Sequence, residues 1–242
     1  MNGVALVTGA SSGIGDAVAR ELAAAGATVA VTARRADRLA ALAEEIGGHA
    51  YPADLTDPDR DVVADVVGDH GRLDVVVANA GVLLLGGVEH APAAELRRMV
   101  EVNLLGAVRV AHSALPHLLA AAAGPRGVAD LVVIGSAGRR LELPFTAGYD
   151  ATKAGLAAFC ASLRKEVARR YVRVALVEPG FVAPTELPLH TRPEVMAGLA
   201  GGFDPGAPLS PADVGGLVRY VVEQPRHAAV ERVVLRPTEQ VE

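Results

Sequence analysis

The chain has one cysteine among 242 residues. Cys160 has no partner for an intramolecular disulfide, which fits a reducing compartment. It falls in an Ala/Leu-rich helical stretch, where a free thiol packs as a small hydrophobe. A basic excess is also missing. The formal net charge is −5, so a nucleic-acid partner, which demands a basic face, is not expected. Nor is there a long apolar run: Val75-Val76-Val77 is cut off by Asn79 and Gly81, well short of the ~20 residues of a membrane span. The first strand candidate, Val4–Val7, follows the amino terminus without a charged leader and apolar stretch, so no signal peptide is expected. A cytoplasmic protein with no membrane partner and no metal is the expectation. Lysine is scarce as well: Lys153 and Lys165 are the only lysines among 23 basic side chains. Where arginine is the default cation, a lysine suggests a position that needs a compact point charge. No internal repeat or flexible linker interrupts the chain, and its length leaves little room for a second domain.

What is present is a rhythm. Hydrophobic residues make up 51% of the chain, and short Val/Leu/Ile runs alternate with longer helical segments. Strands are predicted at Val4–Val7, Thr28–Thr32, Ala50–Ala53, Leu73–Ala78, Leu131–Gly135, Arg173–Glu178 and Arg232–Leu235. Several are continuous apolar runs, as expected for strands covered on both faces. Helices are predicted over 13–25, 36–46, 57–69, 93–122, 149–170 and 211–223. Asp57-Pro58, Ala91-Pro92 and Ser210-Pro211 serve as helix starts. The alternation predicts an α/β fold: a single Rossmann domain over 1–242, doubly wound, with about seven parallel strands flanked by helices. The Pro- and Gly-rich stretch at about 184–211 follows the sixth strand. Ligands bind beyond the carboxyl ends of strands in such sheets, so this stretch is read as a substrate lid.

Gly9, Gly13 and Gly15 follow the first strand and open the first helix, with Ser11, Ser12 and Ile14 between them. Glycine permits a tight turn and close approach, and a helix amino terminus offers free N–H groups to a pyrophosphate. The spacing is G-x-x-x-G-x-G, not the G-x-G-x-x-G of many dehydrogenases. At the end of the second strand, Val31-Thr32-Ala33-Arg34-Arg35 carries no acidic residue for a ribose 2′-hydroxyl. Arg34, close to the expected offset from Gly15, and Arg35 suit a 2′-phosphate, which predicts NADP(H) over NAD(H). Asp54, followed by Leu55, lies after the third strand, where it could cap toward the adenine. Asn79-Ala80-Gly81 closes the fourth strand with a small turn that can lie against a cofactor.

Tyr149 and Lys153 stand at i and i+4 of a predicted helix and share a face. A nearby ammonium stabilises a phenolate, so the phenol pKa is expected to fall toward the working range. Ser136, just past the fifth strand, is placed to hydrogen-bond a carbonyl oxygen. With these residues in order, nearly the whole chain resembles the short-chain dehydrogenase/reductase family. The family's glycine motif appears as Thr8-Gly9-Ala10-Ser11-Ser12-Gly13-Ile14-Gly15 and its Asn-Ala-Gly element as Asn79-Ala80-Gly81, with Ala78 where many members have a further Asn. Its active-site Asn matches Asn103 in Val102-Asn103-Leu104. Its Ser matches Ser136, at the usual separation from Tyr149, and its Pro-Gly element matches Pro179-Gly180.

The resemblance implies that Tyr149 is the general acid in carbonyl reduction and the base in alcohol oxidation. Lys153 would hold the nicotinamide ribose and tune Tyr149, and Ser136 would position the carbonyl. Asn103 would keep a helix distortion and a water linking Lys153 to solvent. Cofactor contacts are also implied at Leu55, Val102, Pro179, Gly180 and Val182. Within the family the chain looks like bacterial NADP-dependent reductases with an Ala-Arg-Arg second-strand end, a branch that includes clavulanate-type aldehyde reductases and hydroxy-acid dehydrogenases. It departs from the family pattern in having Thr152 before Lys153 and Gly135 before Ser136. The nicotinamide-contacting threonine comes one position late, as Thr185.

The substrate is expected to be a mostly apolar ketone or aldehyde, or the matching alcohol. Pocket candidates are Leu83, Leu84, Leu85, Leu143, Phe145, Phe181, Leu187, Leu189, Met196 and Phe203, with Arg139, His190 and Arg192 as polar neighbours. The family's usual state is a homotetramer (or a homodimer), and the small face Ala154, Ala157, Ala158, Ala161 suits close helix approach. Two other readings compete. A catalytically silent NADP(H)-sensing protein on the same fold would not need Asn103, Ser136, Tyr149 and Lys153 together. An epimerase or dehydratase relative would usually carry a larger carboxyl-terminal substrate region.

Overall fold

The apolar runs become strands β1 (Val4–Thr8), β2 (Thr28–Thr32), β3 (His49–Ala50), β4 (Val75–Ala78), β5 (Ala129–Ile134), β6 (Val172–Pro179) and β7 (Arg232–Leu235). The computed structural model describes residues 2–140, 143–199 and 206–240, without the side chains of Arg139, Arg140 and Leu199. The seven strands form one parallel sheet in the order β3-β2-β1-β4-β5-β6-β7. Strands β1, β4, β5 and β6 are buried along their whole length, so continuous apolar runs are what both faces require.

The two-residue period of each strand divides the core. Ala5, Val7, Val29, Val31, Val132 and Val177 face one layer with α1 (Gly13–Ala24), α2 (Ala36–Ile46) and α8 (Pro211–Val222). Leu6, Val76, Leu131, Val133 and Val174 face the other with α3 (Val62–His70), α5 (Ala107–Ala122) and α6 (Ala147–Val167).

Some boundaries moved. β3, expected at Ala50–Ala53, is a regular strand only over His49–Ala50. Tyr51 N and Ala53 N still donate to Val31 O (2.9 Å) and Ala33 O (3.0 Å). α3 does not begin at Asp57-Pro58. Asp61 caps it, with Oδ1 accepting from Val63 N (3.0 Å) and Ala64 N (3.1 Å). α8 begins at Ser210-Pro211 as expected, with a capping box between Ser210 and Asp213.

The helix expected at 93–122 comprises α4 (Ala93–Met99), a π-helical segment at Val100–Gly106, and α5. Contrary to the sequence expectation, Ala93–Ala122 is long and apolar enough, by length and composition, to cross a membrane. In this fold Val110, Ala111, Ala114 and Leu118 of that helix belong to the core against the sheet.

The 184–211 stretch holds a 3-10 turn at Leu187–His190 and a helix, α7 (Pro193–Leu199). It is stapled down by Thr191, whose buried hydroxyl donates to Leu83 O (3.1 Å) and accepts from Leu85 N (3.1 Å). The strand order reverses at β1, which has β2 on one side and β4 on the other. The crevice at such a switch point, beyond the carboxyl ends of the strands, is where this architecture takes ligands.

Candidate active site

A cavity of about 690 Å³ opens at that edge. Gly9 and Gly13 adopt φ +67° and +59°, a region glycine enters without strain. Gly9 is also held close to a neighbour: a Cβ there would lie 2.8 Å from Ala80 Cα. At Gly15 a Cβ would lie 2.4 Å from Gly9 O. Thr8 locks the two turns together. Its hydroxyl accepts from Asn79 N (2.9 Å) and Ala80 N (3.1 Å), while Asn79 Nδ2 donates back to Thr8 O (2.9 Å).

Ser12 occupies the N-cap position of α1, yet its side chain makes no capping bond. The first-turn amides therefore keep no side-chain acceptor, and Gly13 and Ile14 line the cavity. The Ser12 hydroxyl is taken instead by Arg35 Nη2 (2.9 Å), which also donates to Ser11 Oγ (2.8 Å). Arg35 Nη1 reaches Glu186 Oε2 at 2.5 Å, and Arg38 Nη1 reaches Oε1 at 2.7 Å. Hydrogen bonds from Arg38 and then Arg35 hold the Glu186 carboxyl down at about 2. Arg34, the residue singled out for the 2′-phosphate, lines the cavity beside them. Asp54 and Leu55 line it too, but Asp54 Oδ1 turns back to accept from Thr56 N (3.0 Å) and Thr56 Oγ1 (2.8 Å). The Thr56 amide first, and Arg34 and Arg98 more remotely, depress its pKa.

Ser136, Tyr149 and Lys153 line the same cavity. The buried Lys153 Nζ donates to Ile134 O (2.9 Å) and stands 5.6 Å from the Tyr149 ring centroid. Burial lowers the Lys153 pKa to about 8. The expected depression of the Tyr149 pKa is not found. Burial pushes the phenol up to about 12, and its hydrogen bond with Ser136 opposes the rise without reversing it.

Asn103 does not line the cavity. It lies fully buried inside the π-helical segment, where Oδ1 accepts from Val82 N (2.7 Å) and Nδ2 donates to Val82 O (2.9 Å) and Thr152 Oγ1 (3.2 Å). Thr152, which replaces the commoner serine, donates to Tyr149 O (2.7 Å) and so ties the Asn103 turn to α6. At Gly81 a Cβ would stand at ordinary contact distance, 3.4 Å from Asn103 Oδ1 and 3.8 Å from Lys153 Nζ. Gly135 is tighter: a Cβ there would meet Leu176 Cδ1 at 3.0 Å and Glu178 Cγ at 3.1 Å.

Of the remaining cofactor candidates, Ser11, Asn79, Ala80, Val102, Pro179, Gly180, Val182 and Thr185 all line the cavity, whereas Gly15 stands behind the glycine turn. Among the substrate candidates, Leu83, Leu143, Phe181, Leu187 and His190 line it. Leu84 is instead packed with Val82, Met99 and Tyr149. Leu189 is 78% exposed, and Phe145 and Met196 are exposed as well. Arg192 is engaged by Glu95 (3.0 Å) and Glu194 (3.1 Å). Phe203 and the Arg139 side chain lie outside the described residues. Sequence reasoning missed the parts of Thr8, Arg98, Glu101, Glu186 and Gln240, and noted Thr152 only as a departure. Thr8 sat inside a quoted motif, and its position at a strand end was the available signal. Gln240 accepts from Phe181 N (3.1 Å), a contact between distant segments that no local pattern announces.

A family model described as short chain dehydrogenase matches residues 3–194. Glycine betaine reductase ATRR of Emericella nidulans is 35% identical over 245 residues, 98% of this chain, and the chain spans 19% of that protein's length. Sulfoacetaldehyde reductase 2 of Chromohalobacter salexigens is 33% identical over 247 residues, 99% of this chain and 96% of the relative. The closed form of serine dehydrogenase complexed with NADP+ is similar with a TM-score of 0.88 and 26% identity, over 99% of this chain and 96% of that one. The family model covers well over half of the sequence, and the same sheet and glycine cradle are in place: the chain belongs to the short-chain dehydrogenase family and is an oxidoreductase of that family.

Proposed function

We propose that the protein is an NADP(H)-dependent reductase or dehydrogenase that interconverts a carbonyl and an alcohol, with Tyr149 as the proton-transferring residue. The observation that carries this reading is the meeting of two arrangements in one cavity. An uncapped helix amino terminus flanked by arginines lines it, and so do the buried Tyr149 and Lys153 with the half-buried Ser136. Residues Gly9, Gly13, Ile14, Arg34, Arg35, Asn79, Gly81, Lys153 and Thr185 would hold the dinucleotide. When bound, the nicotinamide supplies the hydride and the protein supplies orientation and electrostatics.

Each side chain has a part in the proton chemistry. Burial keeps the Tyr149 phenol protonated at neutral pH, so it can donate to a carbonyl oxygen as that oxygen gains electron density. Ser136 is hydrogen-bonded to the phenol and can hold the same oxygen. A charged Lys153 beside the ring would favour the phenolate left behind. Asn103 keeps the loop at Val82 and the π-helical turn in register with α6. Leu83, Leu143, Phe181 and Leu187 would exclude water and favour a mostly apolar substrate, with the 184–211 segment as its lid. Ala154, Ala158 and Ala161 are exposed on α6, while Ala157 of the expected small face packs against the core; the exposed three support a twofold helix-to-helix contact in a homotetramer or homodimer.

The test is cofactor oxidation with NADPH and NADH against a panel of ketones and aldehydes, beside Tyr149→Phe and Arg34→Ala. Turnover with NADPH that Tyr149→Phe abolishes, with Arg34→Ala weakening NADPH more than NADH, supports the reading. Tight NADPH binding without turnover on any substrate favours the silent sensor. Equal loss of both cofactors in Arg34→Ala overturns the 2′-phosphate assignment.

A further inference from the structure

At the cavity rim one acidic residue is embedded among arginines. The Glu186 carboxylate bridges Arg35 (2.5 Å) and Arg38 (2.7 Å), with the Ser12 hydroxyl as a further partner. Arg35 simultaneously holds Ser11 Oγ and Ser12 Oγ. Three segments distant in sequence thus close into one ring: the glycine loop after β1, the start of α2 after β2, and the chain after β6. Ser11, Ser12, Arg34, Arg35 and Glu186 all line the cavity, so the ring borders the ligand space.

Resting on the cofactor reading above, we infer that Glu186 is a specificity-determining residue: a resident counter-ion that a ribose 2′-phosphate must displace and that a ribose 2′-hydroxyl need not. A phosphate monoester carries between one and two negative charges at neutral pH and three acceptor oxygens. It can take the guanidinium donors of Arg35 from a carboxylate, but only by breaking the ion pairs already there. Its apparent affinity is scaled down to the fraction of molecules in which the arginines are free of the carboxylate. A 2′-hydroxyl has no charge with which to displace Glu186, and the carboxylate remains as an acceptor for it. That acceptor is what the end of β2 lacks, where Arg34 stands in place of an acidic residue. Glu186 therefore supplies from the segment after β6 the acid absent from β2, and it narrows the preference between the two cofactors.

The experiment measures binding, not turnover. Isothermal titration compares adenosine 2′,5′-bisphosphate with AMP on wild type, Glu186→Gln and Glu186→Ala. Both variants are expected to bind the bisphosphate about fivefold more tightly, the scale of a half-exposed ion pair, and AMP no more tightly than wild type. Glu186→Ala excludes a new contact from the glutamine amide as the source of the gain. An unchanged preference, or a shift toward AMP in both variants, overturns the inference while leaving the cofactor reading intact. Failure of wild type and both variants to bind either nucleotide overturns the cofactor reading and this inference with it.

Discussion

Replacing Lys153 by methionine should alter the way stability depends on pH, and the sign and size follow from its burial. The Lys153 pKa falls from 10.5 to about 8 because the charged form is desolvated, with the side chain only 4% exposed. Each pKa unit corresponds to 1.36 kcal/mol, so the folded state gives up about 3 kcal/mol at neutral pH by carrying a proton there. Between the folded and unfolded values the unfolded chain binds more protons, so stability rises with pH across that window. About 2 kcal/mol of the cost should be recovered between pH 7 and 9.5. Cys160, pushed up by burial from 9.0 to about 12, acts in the opposite sense. It keeps its proton in the folded state while the unfolded thiol loses its own, so stability falls as pH rises above the unfolded value. The difference between wild type and Lys153→Met cancels that contribution. Guanidinium unfolding at fixed ionic strength over pH 7–9.5 supplies the measurement. The wild-type stability should climb toward and relative to the variant by about 2 kcal/mol. Parallel curves, or a wild type that loses ground to the variant, would refute the reasoning. The variant should at the same time lose turnover, since a methionine offers no charge to the phenol or to a ribose.

Asn103→Leu preserves volume but leaves the Val82 N–H and C=O without the partners at 2.7 and 2.9 Å that they have now. Both groups are buried, and the expected loss is about 4 kcal/mol in denaturant unfolding. A loss below about 1 kcal/mol would show that the π-helical turn does not depend on this side chain. Gly15→Ala places a Cβ 2.4 Å from Gly9 O and 2.6 Å from Asn79 Nδ2, which should cost about 1–3 kcal/mol and weaken dinucleotide binding. Gly68→Ala on α3 meets nothing within 4 Å and should stabilise by about 0.5–1 kcal/mol. Equal effects from these two glycine substitutions in thermal melts would overturn the close-approach argument.

Signals that are local to the chain were legible without the fold. Continuous apolar runs marked β1 and β4 because a strand covered on both faces cannot alternate. Residues 36–46 matched α2 to the residue because its apolar period, Leu39, Leu42 and Ala43, is the face it buries, and Gly47 in the left-handed region ends it. The glycine turn and the Tyr149–Lys153 pair were visible because each lies within a few residues of itself. Asp61 was not distinguishable from Asp57 as the cap of α3, since the choice depends on Val62, Val63 and Val66 reaching the core. The π-helical turn around Asn103 could not be read from its sequence either, because the distortion is held by Val82 and Thr152 from other segments.

By itself the sequence determined the doubly wound architecture and the positions of the glycine turn and of the Tyr149–Lys153 pair, all through short-range patterning of apolar, glycine and charged positions. The tertiary structure alone decided which arginine is engaged and by what. Arg35, not Arg34, is clamped to Ser11, Ser12 and Glu186, a contact made across most of the chain length. It alone also decided the direction in which Tyr149 titrates. Charge proximity along a helix predicts a fall, but desolvation depends on everything packed around the phenol, and here desolvation is the larger effect.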